Sequence, residues 1–589
     1  MPIPPIVGGL LPLTVPPTIV DIPGLGSVQG IVSPRYAPVK SFYAIPYAKP
    51  PIGELRWAAP MAPGPFATSP LNGTAPTAVC MQPNQMYGKF DPASKVAKYV
   101  KGPNGQSLPI SEDCLTLNVA AGATTGAMIE ADGASHPQPT PVMVWFHGGG
   151  LSIGAGAPYP GDALVHASGG SVVVVTVNYR LNVFGFLGSA ELAHRGAPSG
   201  GKASTGNYGI QDQRLALFWV REHIGAFGGD PASITIFGES AGGTSGMQHL
   251  VQPASWSGRA EGLYHRLVIQ SGGVRAETLS EATATYSAVL NGTKCSNVAC
   301  LLKLDAASVA ATWPSGYHGP VIDGVDLMDQ PDVLISQHKY NTRVPVIVGG
   351  CREEYAVNLM FEWQAGGVPP HKFTEDKYNA WWSSLGLNAS MVERGKRLYA
   401  QDRYPYPKLR GQVAKGEVAT SWWWANAAAG SDLGWERGRC STRRLARMFD
   451  AGGTPAVYTY TFAHPPQRDL NDGTFGWEND WFVGNTLCPH GSDVPSFTFG
   501  DSLALLPGEE AELGRTMGTL WTTFAGNGAP SEQAHVWPRH TITNDTFFIL
   551  DVASSGGTRA EHNDEVEQCQ FWDEVLLTWD PSVLLTTRK

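Results

Sequence analysis

The chain has 589 residues, of which 42% are hydrophobic, and its formal net charge at pH 7 is −10. This hydrophobic content is ample for a large buried core, and an acidic chain without a basic run is a poor candidate for nucleic-acid binding. No stretch approaches the roughly 20 consecutive apolar residues of a transmembrane helix, so the sequence predicts no transmembrane segment.

The first predicted strand with a functional signal lies at residues 142–146, a continuous apolar run typical of a buried strand. It leads into His147 and three consecutive glycines. A glycine-rich turn at this place can direct consecutive backbone N–H groups to one point, as an oxyanion hole requires. The alternative is an ordinary glycine-rich turn after a strand.

Residues 238–242 read Gly-Glu-Ser-Ala-Gly and follow the strand-like run 234–237. This is the nucleophile-elbow pattern G-x-S-x-G in the strand–turn–helix context that it needs. The glycines allow a tight turn, and the serine hydroxyl then lies at a helix N-terminus, where an oxyanion is stabilised. We therefore expect Ser240 to be a nucleophile. The expected oxyanion donors are the backbone N–H groups of Gly149, Gly150 and Ala241.

Further motifs occur along the chain at residues 42–53, 112–119, 178–181, 184–186, 206–242, 270–272 and 321–324. Together they resemble the type-B carboxylesterase family, the group that includes the cholinesterases and fungal and bacterial relatives. The resemblance implies an α/β-hydrolase fold, with a central, mostly parallel twisted sheet flanked by helices and with large loop and helical insertions. It implies a single domain over residues 1–589, with a core at about residues 17–580.

The resemblance also implies a glutamate as the acid of a catalytic triad, after a strand-like segment such as residues 344–348. Glu354 has the family's spacing from Gly349. Tyr355 departs from the pattern, because the family usually has glycine there, and this leaves Glu353 as an alternative acid. For either carboxylate, the non-catalytic interpretation is a solvated loop charge.

The expected base is His490. It is followed by glycine and, after a short polar gap, by the pattern Phe-x-Phe-Gly at residues 497–500, which matches the family. His464 is the competing histidine; it follows a predicted strand, and we interpret it as structural. The chain order Ser240, Glu354, His490 is the order found in α/β-hydrolases.

These assignments predict acyl-enzyme chemistry. His490 removes the proton of the Ser240 hydroxyl during attack on an ester carbonyl and later protonates the leaving alcohol, while Glu354 fixes the imidazole tautomer. Ser271 resembles a position that supports the acid, and Glu239 resembles an extra carboxylate on the alcohol side of the pocket. A strand-end serine and a polar turn residue are the respective alternatives. No cofactor and no metal are expected.

The chain contains eight cysteines, which indicate an oxidising compartment. The resemblance implies three disulfides, Cys80–Cys114, Cys295–Cys300 and Cys440–Cys569. Cys351 and Cys488 are then left over, near the expected acid and base. Because acid and base must meet, we expect these two cysteines to form a fourth disulfide; two buried free cysteines are the alternative.

We therefore expect a secreted or secretory-pathway protein, although residues 1–5 lack a basic region and the apolar run at residues 6–15 is short and broken by proline. The expectation requires a leader that is missing from this chain or mispredicted. The alternative is a cytosolic protein with free thiols. Four N-glycosylation sequons agree with secretion. They begin at Asn72, Asn291, Asn388 and Asn544.

The sequence predicts a serine carboxylic-ester hydrolase, of carboxylesterase or lipase type, that acts on a small-molecule or lipid ester. The alternative is a catalytically inactive, cholinesterase-like adhesion or binding protein, since fold alone does not fix function. The complete set of expected triad residues favours the enzyme. The oligomeric state is left open.

A choline ester is disfavoured as the substrate. Choline sites use a tryptophan face, and the loop between the first family cysteine pair has only Tyr87, Phe90 and Tyr99 as aromatic residues. The segment that resembles the acyl pocket, residues 314–320, is small and polar. The tryptophan cluster at residues 422–424 is expected to pack in a helix core, with a substrate wall as the alternative.

Overall fold

The structure is a computed structural model that describes most of the chain. The described residues are 18–82, 96–101, 107–122, 139–196, 203–256, 262–314, 318–364, 367–402, 412–414, 417–433, 438–466, 488–494, 498–499, 508–562 and 565–579.

These residues form twenty strands. In chain order they are β1 (Thr18–Ile22), β2 (Gly26–Val32), β3 (Lys40–Pro46), β4 (Leu71–Asn72), β5 (Val79–Cys80), β6 (Val96–Lys101), β7 (Ser107–Ser111), β8 (Thr116–Ala121), β9 (Thr140–Phe146), β10 (Val173–Val177), β11 (Gly229–Glu239), β12 (Arg266–Gln270), β13 (Glu277–Thr278), β14 (Val321–Ile322), β15 (Val346–Cys351), β16 (Gln412–Ala414), β17 (Glu417–Val418), β18 (Val457–Phe462), β19 (Thr546–Leu550) and β20 (Arg559–His562).

The same residues form seventeen α-helices. In chain order they are α1 (Asp162–Ala167), α2 (Asn182–Phe186), α3 (Ala190–Arg195), α4 (Tyr208–His223), α5 (Ala241–Val251), α6 (Pro253–Trp256), α7 (Leu279–Thr293), α8 (Val298–Leu301), α9 (Ala306–Ala310), α10 (Pro331–Ser336), α11 (Ala356–Gln364), α12 (Glu375–Ser384), α13 (Ala389–Leu398), α14 (Ser421–Leu433), α15 (Arg439–Ala451), α16 (Gly508–Asn527) and α17 (Val566–Trp579).

Thirteen of the described strands form one large sheet in the order β1-β2-β3-β8-β10-β9-β11-β12-β15-β18-β19-β20, with β4 beside β2. Every neighbouring pair from β10 to β19 in this order is parallel. The pairs at the two ends of the sheet, from β1 to β10 and between β19 and β20, are antiparallel. The predicted α/β fold with a central, mostly parallel sheet is confirmed.

The central strands are buried on both faces, as their continuous apolar sequences require. Val144 of β9 pairs with Val175 of β10 and with Ile236 of β11. Successive side chains of a strand point to opposite faces: Val144 packs in one core cluster with residues of α5, and Trp145 packs in another with residues of α16. Helices therefore cover both faces of the sheet.

The parallel strands bring their carboxyl ends to one edge of the sheet, where ligands bind in open α/β sheets. The register pairs Phe146 at the end of β9 with Gly238 of β11, and Glu239 at the end of β11 with Gln270 at the end of β12. Gln270 in turn pairs with Gly349 of β15. The loops that carry the sequence motifs therefore start side by side.

The three disulfides implied by the resemblance are present, Cys80–Cys114, Cys295–Cys300 and Cys440–Cys569. Trp423 and Trp424 are buried on α14, which confirms the predicted core role for these two residues. Within the described parts of the chain, no helix is both long and apolar enough to cross a membrane.

Candidate active site

The predicted nucleophile lies on a strained turn. Ser240 occupies the junction between β11 and α5, with φ of 57° and ψ of −120°, and is only 5% exposed. A positive φ is uncommon for residues other than glycine and marks a backbone that the surrounding structure holds in place. This is the geometry of a nucleophile elbow, with the serine just before the first turn of a helix.

The elbow can form because a glycine follows it closely. A Cβ atom built on Gly242 would lie 1.8 Å from the carbonyl oxygen of Phe146, the last residue of β9. Any side chain at position 242 would therefore separate α5 from β9. The second glycine of the motif is required by this contact between helix and strand.

The predicted oxyanion loop packs directly against the elbow. A Cβ atom built on Gly148 would lie 3.1 Å from Cβ of Ser240. Gly149 and Gly150 follow with φ of 104° and 60°. Ala241 is the first residue of α5. The structure thus places the three predicted donor residues in the two segments that meet at Ser240.

His147 supports this loop as a neutral ring. Burial lowers its pKa to about 4, and the ring stacks on Tyr179 with 4.4 Å between centroids. The Tyr179 hydroxyl donates a hydrogen bond of 2.6 Å to the His147 carbonyl oxygen. The glycine-rich loop therefore begins at a residue that is uncharged and held in place next to the nucleophile.

Glu354 contacts the predicted base. Its Oε2 lies 2.6 Å from His490 Nδ1, and its Oε1 accepts hydrogen bonds of 2.6 Å from the Ser271 hydroxyl and from the Cys351 backbone N–H. Glu354 is 3% exposed. Because a carboxylate accepts at Nδ1, the proton of the neutral ring is on Nδ1 and Nε2 is left as the basic nitrogen.

Tyr355, which replaces the usual glycine of the family, fits without displacing the acid. A Cβ atom built on Gly430 of α14 would lie 2.1 Å from the Tyr355 ring, so the ring lies directly against the helix backbone. The Tyr355 N–H donates to the Ser431 hydroxyl at 3.0 Å. Glu354 thus keeps its contact with His490 despite the departure. The alternative acid, Glu353, contacts the backbone of Cys488 and not the ring.

His490 Nε2 faces a second carboxylate, since Glu239 Oε1 lies 3.1 Å from it. Within the described residues, the Ser240 hydroxyl makes no hydrogen bond with His490. The structure therefore brings the predicted acid and base into contact and places the carboxylate of Glu239, the residue before Ser240, at Nε2 of the base. Catalytic hydrogen bonds are often absent or long without substrate.

The competing histidine, His464, belongs to a different cluster. Its Nε2 lies 2.7 Å from Glu510 on α16, and its Nδ1 lies 3.5 Å from Asp551, just after β19. It connects three elements of the fold. Its interpretation as a structural residue agrees with these contacts.

Asp493, a carboxylate with no exposed surface three residues after His490, is a residue of this site that was not predicted from the sequence. Asp493 Oδ2 accepts hydrogen bonds from Gln270 Nε2 at 3.1 Å and from the Tyr460 hydroxyl at 2.8 Å. Burial raises the pKa of Asp493 above its ordinary value. These contacts join the segment of His490 to β12 and β18. The only sequence signal was the closeness of Asp493 to His490, because its partners come from distant strands.

The expected disulfide between Cys351 and Cys488 is wrong, because both are free and buried. Cys488 Sγ donates to the carbonyl oxygen of Phe462 at 3.0 Å, and Cys351 Sγ lies 3.7 Å from Asp493 Oδ1. Burial raises the pKa of both thiols. The two loops meet as predicted and the two thiols interact, but both remain free, and each sulfur also has an oxygen partner.

Some predicted residues are outside the described part of the chain: Tyr87, Phe90, residues 315–317 and residues 495–497 with Gly500. The side chain of Tyr99 is also not described. In the segment that resembles the acyl pocket, His318 Nδ1 lies 3.0 Å from Glu277 Oε1. Among the described residues, no group of three histidine, cysteine or acidic side chains could hold a metal ion.

The sheet topology, the strained serine turn and the position of the site at the carboxyl edge define an α/β-hydrolase. The model of the carboxylesterase family matches residues 16–572. The chain belongs to the carboxylesterase family, and it is a carboxylic ester hydrolase.

Known proteins are similar over almost the whole chain. Liver carboxylesterase of Sus scrofa is 29% identical, with 94% of this chain and 93% of that protein covered. Acylcarnitine hydrolase of Mus musculus is 30% identical, with 94% and 90% covered. Among solved structures, a thermophilic pNB esterase has a TM-score of 0.69 at 26% identity and covers 94% of this chain and 99% of its own.

Proposed function

We propose that this carboxylesterase hydrolyses non-choline esters, small-molecule or lipid, through an acyl-enzyme on Ser240. His490 is the general base and then the general acid, and Glu354 is the triad acid. The backbone N–H groups of Gly149, Gly150 and Ala241 form the oxyanion hole.

The observation that carries this proposal is the hydrogen-bonded chain Ser271–Glu354–His490, which ends beside the elbow. It supports a base that is oriented through Nδ1 and basic at Nε2, as triad chemistry requires. A bare glycine-rich turn would not need a buried carboxylate–imidazole pair at the same edge of the sheet.

The reaction follows from these roles. His490 Nε2 takes the hydroxyl proton as Ser240 Oγ forms a bond to the ester carbonyl carbon, and the carbonyl oxygen becomes an anion in the oxyanion hole. The carbon–oxygen bond to the alcohol then breaks, and His490 returns the proton to the alcohol. Water attacks the acyl-enzyme with the same proton transfers and releases the acid and free Ser240.

Glu239 fits this reaction as a stabilising charge. Its carboxylate lies 3.1 Å from His490 Nε2, the atom that is protonated in each tetrahedral intermediate. An anion at this distance favours the imidazolium form. Ser271 supports the acid through the hydrogen bond that it donates to Glu354.

The substrate proposal rests on similarity and composition. The relatives named above are a liver carboxylesterase and an acylcarnitine hydrolase. The loop between Cys80 and Cys114 has no tryptophan for a choline cation. We propose a broad preference for esters other than choline esters, in a single α/β-hydrolase domain with its core at about residues 17–580.

The test is a set of p-nitrophenyl esters of increasing acyl length. Ser240→Ala should lower kcat by at least about 1000-fold for every ester that wild type cleaves. Ser287→Ala is the matched control, because Ser287 is exposed on α7. Activity of Ser240→Ala within about tenfold of wild type, in protein free of contaminating esterase, would exclude this nucleophile.

We also propose a secreted glycoprotein. Three disulfides support an oxidising compartment, and the sequon residues Asn72, Asn291 and Asn388 are exposed. Peptide mapping after expression in a glycosylating host should find glycans on these residues. Recovery of all three unmodified, together with reduced cysteines, would contradict the proposal.

A further inference from the structure

Glu353, the residue before the proposed acid, is directed away from solvent and is only 2% exposed. Its Oε2 accepts a hydrogen bond of 2.9 Å from the backbone N–H of Cys488. Its own backbone N–H donates to the Cys488 carbonyl oxygen at 3.1 Å. One residue thus binds both polar groups of the Cys488 backbone, two positions before His490.

The charge of Glu353 is compensated on its other oxygen. Arg352 Nε donates to Glu353 Oε1, and the Arg352 backbone N–H donates to the Phe462 carbonyl oxygen at 2.9 Å. Phe462 also accepts from Cys488 Sγ. A buried carboxylate with both oxygens satisfied is a fixed group rather than a solvated loop charge.

Two adjacent glutamates therefore bind the same segment at two points. Glu354 binds the His490 ring at Nδ1, and Glu353 binds the backbone two residues earlier. Asp493 joins the part of the segment after His490 to β12 and β18. Glu353 holds the backbone before His490, so the segment is fixed on both sides of the proposed base.

We infer that Glu353 is a positioning residue that sets the place of His490 relative to Ser240. The inference rests on the proposed triad. Loss of the Glu353 side chain leaves the Cys488 N–H without its acceptor in a buried place, so the segment must move to find another partner. A displacement of about 1 Å at the base can reduce turnover by about 100-fold.

The experiment compares three substitutions of Glu353 with a p-nitrophenyl ester as substrate. Glu353→Ala removes the acceptor, and its kcat should fall by about 10–100-fold with KM within about threefold of wild type. Glu353→Gln keeps an acceptor oxygen at the same reach, and its kcat should stay within about threefold. Glu353→Asp keeps the charge but is one methylene shorter, and its kcat should fall by about tenfold.

Glu510→Ala is the matched control, since Glu510 is an equally buried carboxylate that binds His464. It should lower the apparent Tm as much as Glu353→Ala does and leave kcat within about twofold. Should Glu353→Ala fail to fold, the difference in kcat between Glu353→Gln and Glu353→Asp still tests the positioning role. If Glu353 had only a structural role, there would be no reason for Glu353→Asp, which keeps the charge, to have a lower kcat than Glu353→Gln, which keeps the length.

Three results would overturn the inference: Glu353→Ala with wild-type kcat, the Gln variant as slow as the Asp variant, or an equal loss of kcat in Glu510→Ala. Ser240→Ala, assayed in parallel, separates this inference from the proposed function. An active Ser240→Ala means that the triad proposal fails. An inactive Ser240→Ala beside a fully active Glu353 series means that only the positioning role fails.

Discussion

Two neighbouring carboxylates of the same turn have different partners. Glu354 contacts the ring of His490, and Glu353 contacts the backbone of Cys488. Both are buried, so exposure does not distinguish them. The distinction lies in which atom of the His490 segment each one reaches.

This difference predicts unequal effects of the same substitution. Glu354→Gln should lower kcat by about 1000-fold or more, because an amide in contact with Nδ1 can favour the wrong imidazole tautomer. Glu353→Gln should lower kcat only a few-fold, because its side chain keeps an oxygen that accepts the hydrogen bond from the Cys488 N–H. Steady-state kinetics on one ester checks both variants, and a Glu353→Gln variant slower than Glu354→Gln would move the acid by one residue.

At this scale motif and spacing predicted Ser240, Glu354 and His490 as the triad, and the structure brings Glu354 and His490 into contact. Motif and spacing did not predict Asp493 or the contact made by Glu353. Their partners, Gln270 and the Cys488 backbone, are far from them in the chain. A local pattern carries no information on which distant polar group a buried carboxylate will meet.

At the scale of elements, His464 connects the end of β18 to α16 and to the residue after β19. Burial opposes protonation of this ring, but its hydrogen bonds and charge interactions with Asp551 and Glu510 outweigh burial and raise its pKa above 6.5. The protonated ring therefore stabilises the contact between these three elements.

The sign of the pH dependence follows from this raised pKa. The stabilisation is fully present below about pH 6.5 and is lost as the pH rises through the pKa of the folded state. The apparent Tm of wild type should exceed that of His464→Gln most at about pH 6, and the difference should shrink toward about pH 9. Scanning fluorimetry across this pH range measures the Tm difference between wild type and His464→Gln. A Tm difference that grows with pH would contradict a stabilising role of the protonated His464 ring.

Sequence reasoning located strands that lead into the motifs, but it did not predict the order of the strands in the sheet. The apolar runs before His147 and Ser240 predicted the ends of β9 and β11, and the predicted residues 142–146 and 234–237 are buried as expected. The fourth disulfide failed for a physical reason. The Cys351 and Cys488 thiols interact with each other, but each also has an oxygen partner, and closeness of two thiols does not by itself make a covalent bond.

At the scale of the whole molecule, the disulfide Cys440–Cys569 joins α15 to α17 over a sequence separation of 129 residues. Cys295–Cys300 closes a separation of only five residues. Chain entropy makes the longer loop the more stabilising one. Comparing the two disulfides therefore tests whether the length of the closed loop governs the stabilisation.

Replacing Cys440 and Cys569 together by alanine should lower the free energy of unfolding by about 5 kcal/mol, against about 2 kcal/mol for the double alanine variant at Cys295 and Cys300. Denaturant unfolding under non-reducing conditions measures both. An equal or larger loss for the short loop would show that loop closure does not govern the stabilisation by these bridges.

A covalent acyl-enzyme at Ser240 is the central step of the proposed reaction, and labelling with a fluorophosphonate followed by peptide mass spectrometry tests it most directly. Folded wild type should take up a single phosphonyl group on the peptide that contains Ser240. Ser240→Ala and denatured wild type should take up none. A label on another residue, or equal labelling of Ser240→Ala, would contradict the assignment of the nucleophile and the mechanism built on it.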